Sequence, residues 1–335
     1  MSAAISFVMI STLTQKLMQS PQIVLEEKRC LRNRLRGFSC RSCVDGCRSE
    51  ALADNDGKVS LIPHKCTNCG ACVALCPGDA FSFDRFNLNQ LLEENVQGKS
   101  LVISCYGSTY RSENELRLPC VGVMIPESLL FLGLRQRGDV RFNLSECTKC
   151  SNRLTADAFM QLFQHVQRQA AHLFRSRLTL IRTADELPAG DDQDRRKFLF
   201  SLGSTVVNAV QGKFAPETIK KKRPTGTRQV MSRTQLLIRI LKHEKVICDE
   251  LIQLCTPEAQ VSLSCTLCPR CTGMCHTGAL KIRKSGKHKV LSYDRTLCIA
   301  CGLCVEFCKE EAISIREPGL VSSKRISCGS PVFYQ

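Results

Sequence analysis

The sequence has no tryptophan, four tyrosines and an aromatic content of 6%. Proteins that hold single-stranded nucleic acid stack bases on interleaved aromatic rings. That support is missing, which disfavours nucleic acid as a partner. No apolar run reaches the ~20 residues a membrane-spanning helix needs. The longest, residues 198–210, is interrupted by Ser201, Gly203, Ser204 and Asn208. The first residues, MSAAISFVMIS, carry no leading positive charge and no small-residue cleavage site, so no secretory leader is expected. There is no glycine-rich dinucleotide loop and no nucleophile–base pair at a recognisable spacing. These absences predict a cytoplasmic protein without a membrane span and disfavour a self-contained enzyme.

What the chain has in excess is cysteine, 23 among 335 residues. A secreted protein would use them as disulfides, but here they fall at metal-ligand spacing. Residues 265–275 read C-T-L-C-P-R-C-T-G-M-C and residues 298–308 read C-I-A-C-G-L-C-V-E-F-C. Each is C-x2-C-x2-C-x3-C. Three thiolates two residues apart can wrap one face of a cubane, and the fourth points away to a second cluster. Cys265, Cys268, Cys271 and Cys308 are therefore expected to hold one [4Fe–4S] cluster, and Cys298, Cys301, Cys304 and Cys275 another. Zinc, which takes four ligands from two C-x2-C knuckles, fits eight cysteines in this pattern less well. Residues 260–316 resemble the bacterial-type two-cluster ferredoxin.

The pattern recurs over residues 25–85. Cys66, Cys69 and Cys72, with Cys76-Pro77 behind them, form a complete copy. In the copy before it, Cys40, Cys43 and Cys47 match the last three positions, but Gly37 stands where the first cysteine belongs. Cys30, ten residues before Cys40, can reach in from a longer loop. The expected sets are Cys30, Cys40, Cys43 and Cys76, and Cys66, Cys69, Cys72 and Cys47. A three-iron cluster on Cys40, Cys43 and Cys76 is the alternative for the first. Short apolar strands are expected after each motif, at Ala51-Leu52, Ala80–Phe83, Ala279–Ile282 and Ala312–Ile315, with Ile23–Leu25 as a first strand. Arg32, Arg34, Arg36 and Arg41 gather near the first set, either as a docking patch or as a face that offsets cluster charge.

The formal net charge is +16, which taken alone suggests an acidic partner. A cubane with four thiolates carries roughly −2, so four cubanes and a smaller centre would bring the sum to roughly +6. Part of the basic excess then compensates buried anionic clusters.

Between the two cysteine-rich ends the periodicity changes. Strands are expected at Leu101–Ser104, Leu116–Leu118, Val140–Leu144 and Leu178–Ile181. Pro126 opens an amphipathic helix with Leu129, Leu130, Leu132 and Leu134 on its buried side. A longer helix carries Phe159, Phe163, Val166, Ala170 and Leu173. The β–β–α–β order leaves Cys105, Cys120, Cys147 and Cys150 beyond strand ends that converge in an open α/β sheet, so they can meet as one four-thiolate site. Tyr106 and Tyr110 are assigned to packing. The stretch S-C-Y … L-P-C-V-G-V-M-I-P-E-S-L-L … R-G-D-V … C-T-K-C resembles the delta subunit of methyl-viologen-reducing hydrogenase. That resemblance implies a [2Fe–2S] cluster and transfer to a redox partner. The final pair is C-x2-C here and wider in that family, which leaves zinc open as the occupant.

The expected fold class is α+β, two ferredoxin-like modules flanking a small α/β domain. The boundaries read 1–24 for an N-terminal segment, 25–98 for the first module and 99–183 for the α/β domain. A helical, basic linker spans 184–258, the second module 259–318 and a tail 319–335. The linker includes a helix from Arg195, the run Lys220–Pro224 and a helix over Gln235–Lys242 that packs on a neighbouring domain. Cys248 and Cys255 are read by default as buried structural cysteines, and Cys328 is unassigned. The expected function is an electron relay serving hydrogenase, dehydrogenase or reductase subunits. A catalytic oxidoreductase using the middle cysteines, and an iron–sulfur or zinc-stabilised nucleic-acid-binding protein, are the competing readings.

Overall fold

A computed structural model describes residues 21–96, 99–188, 231–244, 246–286 and 288–320. The helix expected from Arg195, the apolar run 198–210, the basic run 220–224 and Cys328 lie outside the described residues.

The N-terminal cysteine-rich stretch folds as β1 (Ile23–Leu25), α1 (Leu31–Arg34), α2 (Ser42–Asp45), β2 (Leu52–Asn55), β3 (Lys58–Leu61), α3 (Ala71–Leu75) and β4 (Phe81–Phe83). The last strand returns to the first, antiparallel, with Ile23 opposite Phe83. Between them β2 and β3 form a hairpin closed by Asp56-Gly57. Both turn residues have positive φ, 49° and 80°, as the two-residue turn that matches strand twist requires. A helix, α4 (Leu88–Asn95), follows, capped by the Asn87 side chain accepting from the Gln90 amide.

The middle domain contains β5 (Leu101–Cys105), β6 (Glu115–Leu118), α5 (Pro126–Arg135), β7 (Val140–Asn143), α6 (Arg153–Ala170) and β8 (Leu178–Ile181). The strands run parallel in the order β6–β5–β7–β8, so their carboxyl ends share one edge. Parallel strands buried on both faces read as continuous apolar runs, as Leu101–Ile103 does. Helix α5 is not amphipathic in place: Pro126 to Leu134 are all buried. Its second face is covered by α7 (Ser232–His243), which buries Leu236, Leu237 and Ile240 against it and pairs Arg233 with the buried Glu127 carboxylate at 3.0 Å. The expected linker segment 184–258 therefore contributes a core helix. Tyr106 also departs from expectation. It is 40% exposed and lies under the Arg117 guanidinium, outside the core.

After α8 (Cys248–Cys255) the C-terminal stretch repeats the first plan: β9 (Glu258–Val261), α9 (Arg270–Met274), the hairpin of β10 (Leu280–Ser285) and β11 (His288–Tyr293), α10 (Leu303–Glu306) and β12 (Ile313–Arg316). Here too the last strand pairs with the first, Ile313 opposite Val261. The closing sheets begin at Ile23, as expected for the first strand, and at Glu258.

Candidate metal centres

Every described cysteine is a free thiol, and within each expected set thiols lie near enough to influence one another's ionisation. The Cys43 thiol is pushed up to about 12 by burial and then by its neighbours Cys76, Cys40 and Cys30. Cys76 is raised to about 11 by burial, opposed by the Ala80 and Gly78 amides and reinforced by Cys30 and Cys40. Cys30 thus faces the same centre as Cys40, Cys43 and Cys76. Its displaced position is held locally. The Arg32 guanidinium donates to the carbonyls of Phe38 and Cys40 at 3.3 and 3.4 Å. Asn33 exchanges two hydrogen bonds with the Val59 backbone. Arg32 and Arg41 both reach Asp54. Two of the four arginines read as a docking patch are therefore engaged in holding the loop.

The neighbouring set is Cys66, Cys69, Cys72 and Cys47. Cys66 is raised by burial, against the Asn68 amide, and by Cys69 and Cys47. Cys72 is raised by burial and then by Cys69, Cys66, Cys43 and Cys47. In the C-terminal stretch Cys271 is raised by burial and by Cys265, Cys268 and Cys308. Cys301 reaches about 12 through burial, opposed by the Leu303 amide and supported by Cys298 and Cys275. Cys304 rises through burial and the same two thiols with Cys301 and, beyond its own set, Cys271. Cys275 moves the other way: burial raises it, but the Thr277 hydroxyl and the amides of Leu280, Gly278 and Ala279 outweigh that. In the middle domain Cys120 is raised to about 12 by burial, opposed by the Gly122 amide, with Cys69, Cys105 and Cys147 adding to the rise. Cys147 reaches about 12 through burial, Cys105, Cys150, Glu146 and Asp157.

The thiols raised in this way stay protonated unless a cation replaces the proton, a condition that metal ligation meets. Among the described residues, no three Cys, His, Asp or Glu side chains converge tightly enough to hold one metal ion.

Two backbone features recur that the cysteine spacing does not reveal. The residue before the second cysteine is left-handed in three copies, at Asn68, Leu267 and Ala300, with φ of 52°, 53° and 51°. Leucine and alanine rarely adopt that conformation, and it costs of order 1–3 kcal/mol. The altered copy lacks it, consistent with its missing first cysteine. The third residue after each fourth cysteine is also left-handed: Glu50, Asp79, Gly278 and Glu311. This turns the following backbone inward. The amides of Ala51, Ala80 and Ala312 donate to the sulfurs of Cys47, Cys76 and Cys308, each at 3.3 Å. Such N–H···S bonds stabilise ligating thiolate and set cluster potential. His276, in the position proline takes after Cys76, is half-buried, with both ring nitrogens shielded from solvent and without a hydrogen-bond partner. Burial and then the Arg34 charge hold its pKa down at about 4, so its ring is neutral.

These sites define the class, a protein with clustered thiolate modules. Within the chain, residues 59–82 and 291–314 match the 4Fe-4S binding domain family. Each match covers one complete four-cysteine motif, and iron–sulfur modules of ferredoxin type are thereby identified in both cysteine-rich stretches. Cys30–Cys47, Cys265–Cys275 and the middle domain lie outside the matched residues. No curated protein and no solved structure matches the chain. No helix among the described residues is long and apolar enough to cross a membrane.

Proposed function

We propose that the chain is a multi-centre electron carrier with four [4Fe–4S] clusters and a fifth centre in the middle domain, working between redox protein partners in a reducing compartment. The observation that carries this reading is the crossing of the fourth cysteines. Cys76 faces Cys30, Cys40 and Cys43, not its own triplet. Cys47 faces Cys66 and Cys72. Cys308 and Cys275 exchange in the same way. A single-cluster site would close each motif on itself, whereas crossing implies two clusters per module.

Clusters of this kind supply one-electron transfer at potentials set by hydrogen bonds to sulfur, burial and charge. The chain's own contribution is to orient the thiols, donate amides to the sulfurs and exclude water around Cys43, which is 6% exposed. For the middle set, Cys105, Cys120, Cys147 and Cys150, the reading is a [2Fe–2S] cage, with zinc on the same four thiolates as the alternative.

The test is anaerobic purification with iron, sulfide and zinc counted per chain. The expected result is roughly eighteen irons and no zinc. Cys30→Ser should then lose about four irons and one cluster's absorbance. About eight irons in the wild type would reduce the proposal to one cluster per module. Unchanged iron in Cys30→Ser would remove Cys30 as a ligand.

A further inference from the structure

We infer that the five cysteine sets stand in one unbranched series: the middle set, the Cys66 set, the Cys30 set, the Cys298 set and the Cys265 set. This rests on the reading above that each set holds a cluster. Within the modules, α2, which carries Cys43, packs on α3, which carries Cys72, and α9, which carries Cys271, packs on α10, which carries Cys304. What joins the modules to the middle domain and to each other is a pair of packed seams.

The first seam is backbone against backbone. A Cβ on Gly122 would lie 2.4 Å from the Cys69 carbonyl oxygen and 2.4 Å from the Thr155 methyl. A Cβ on Gly70, at φ +76°, would lie 2.3 Å from a Val123 methyl. Only hydrogen side chains on both sides of this contact let the segments that carry Cys69 and Cys120 approach so closely.

The second seam has its own small core, separate from the main one. Leu31, Phe38 and Leu303 are buried together, with Cys40 packed on that cluster from one module and Cys301 from the other. The rings of Phe38 and Phe307 face each other at a tilt of 34° with centroids 6.4 Å apart. Ser39 donates its backbone N–H and its hydroxyl to the two carboxylate oxygens of Glu306, at 2.7 and 2.6 Å. The residue beside Cys40 is thus clamped by two charge-assisted bonds to the helix that carries Cys304, the strong kind of hydrogen bond. The end sets contain Cys150 and Cys268, the exposed thiols among the described residues, whereas the thiols of the three inner sets are buried or half-buried.

Electron paramagnetic resonance of the fully reduced chain tests the order. The double variant Glu306→Ala/Phe38→Ala opens the second seam without touching a ligand. At unchanged iron content it should lose part of the spin–spin broadening and saturate at lower microwave power, while Phe38→Leu, which keeps the packing volume, stays wild-type-like. An identical spectrum with the seam opened overturns the second link, and a single zinc ion in the middle set overturns the first. Should the double variant shed iron, pulsed measurements on the wild-type chain decide the question. Inner centres with two neighbours each support the series, and isolated pairs sink it. Too little iron in the wild type counts against the multi-cluster reading itself and is seen before any spectrum is taken.

Discussion

In the middle domain Ile103, Leu118, Leu129, Leu132, Val140 and Phe142 have no exposed surface. In the C-terminal module β10 buries Leu280 and then runs into solvent, and β11 has no buried residue. The first region gains its stability from apolar burial, at about 25 cal/mol per Å² removed from water. The second is too small to bury much, and its interior is lined with thiols that repel one another. Folding there depends on whatever those thiols bind. The N-terminal module is intermediate. Ile23, Phe81 and Phe83 join the same continuous core as the middle sheet, so its fold is shared between side-chain burial and ligation.

The largest expected effect breaks the molecule along this difference. Iron removal by an anaerobic chelator should unfold the C-terminal module and leave the parallel sheet in place. Hydrogen exchange reads this directly: amides of β10 and β11 should exchange as in the unfolded chain, while those of β5 and β7 keep their protection. The N-terminal module should fall between them. Equal protection throughout the apo-protein would show that the C-terminal module is held by packing after all.

A smaller effect sharpens the same contrast with two glycines. Gly122 has backbone and a methyl within 2.4 Å of its missing Cβ, whereas Gly273 has nothing within 4 Å. Gly122→Val should destabilise by about 1–3 kcal/mol, the usual result of overpacking. Gly273→Ala should be neutral or stabilising by roughly 0.4–1 kcal/mol, through the unfolded chain. Its counterparts between the third and fourth cysteines of other copies are Ala74, Asp45 and Glu306, so a side chain is accommodated there. Thermal unfolding of the iron-loaded variants reads both. A Gly122→Val protein as stable as the wild type would mean the first seam is loose.

The contrast also explains what could be read from the sequence. The cysteine motifs stand out in the sequence because two residues between thiols is a local pattern that survives without knowledge of the fold, and two of them match the 4Fe-4S binding domain family. The strands of the middle sheet were legible because buried parallel strands are unbroken apolar runs. Cys30 was legible only as a nearby cysteine. What directs it inward is the Arg32 and Asn33 hydrogen bonding, and those side chains look like ordinary surface residues in sequence. The complete burial of α5 was hidden because its cover, α7, comes from about a hundred residues further on, and periodicity describes one helix at a time. The left-handed Leu267 and Ala300 contradict local preference, so no local rule could find them. The seams depend on close approach between distant segments, and nothing around Gly122 or Phe38 advertises it.

The smallest effect concerns a cysteine that serves the core. Cys255 is 5% exposed. Burial, and then the Glu127 carboxylate, push its thiol well above the ordinary value of 9.0, with Arg233 opposing. Below that ordinary value the thiol is neutral in the folded and unfolded chain alike, and its contribution to stability is fully present. As pH rises past about 9 the unfolded chain releases the Cys255 proton while the folded chain retains it, so stability falls by at most about 1.4 kcal/mol per pH unit. The ligand thiols add their own pH dependence, but it is common to wild type and variant. Cys255→Ala should therefore be less stable near neutral pH, from the cavity it leaves, yet lose stability less steeply between about pH 9 and 10.5. Unfolding midpoints measured across that range separate the two slopes. Parallel slopes would mean that the Cys255 thiol ionises as easily inside the protein as outside it, and the distinction between cysteines that bind and cysteines that pack would lose its physical basis.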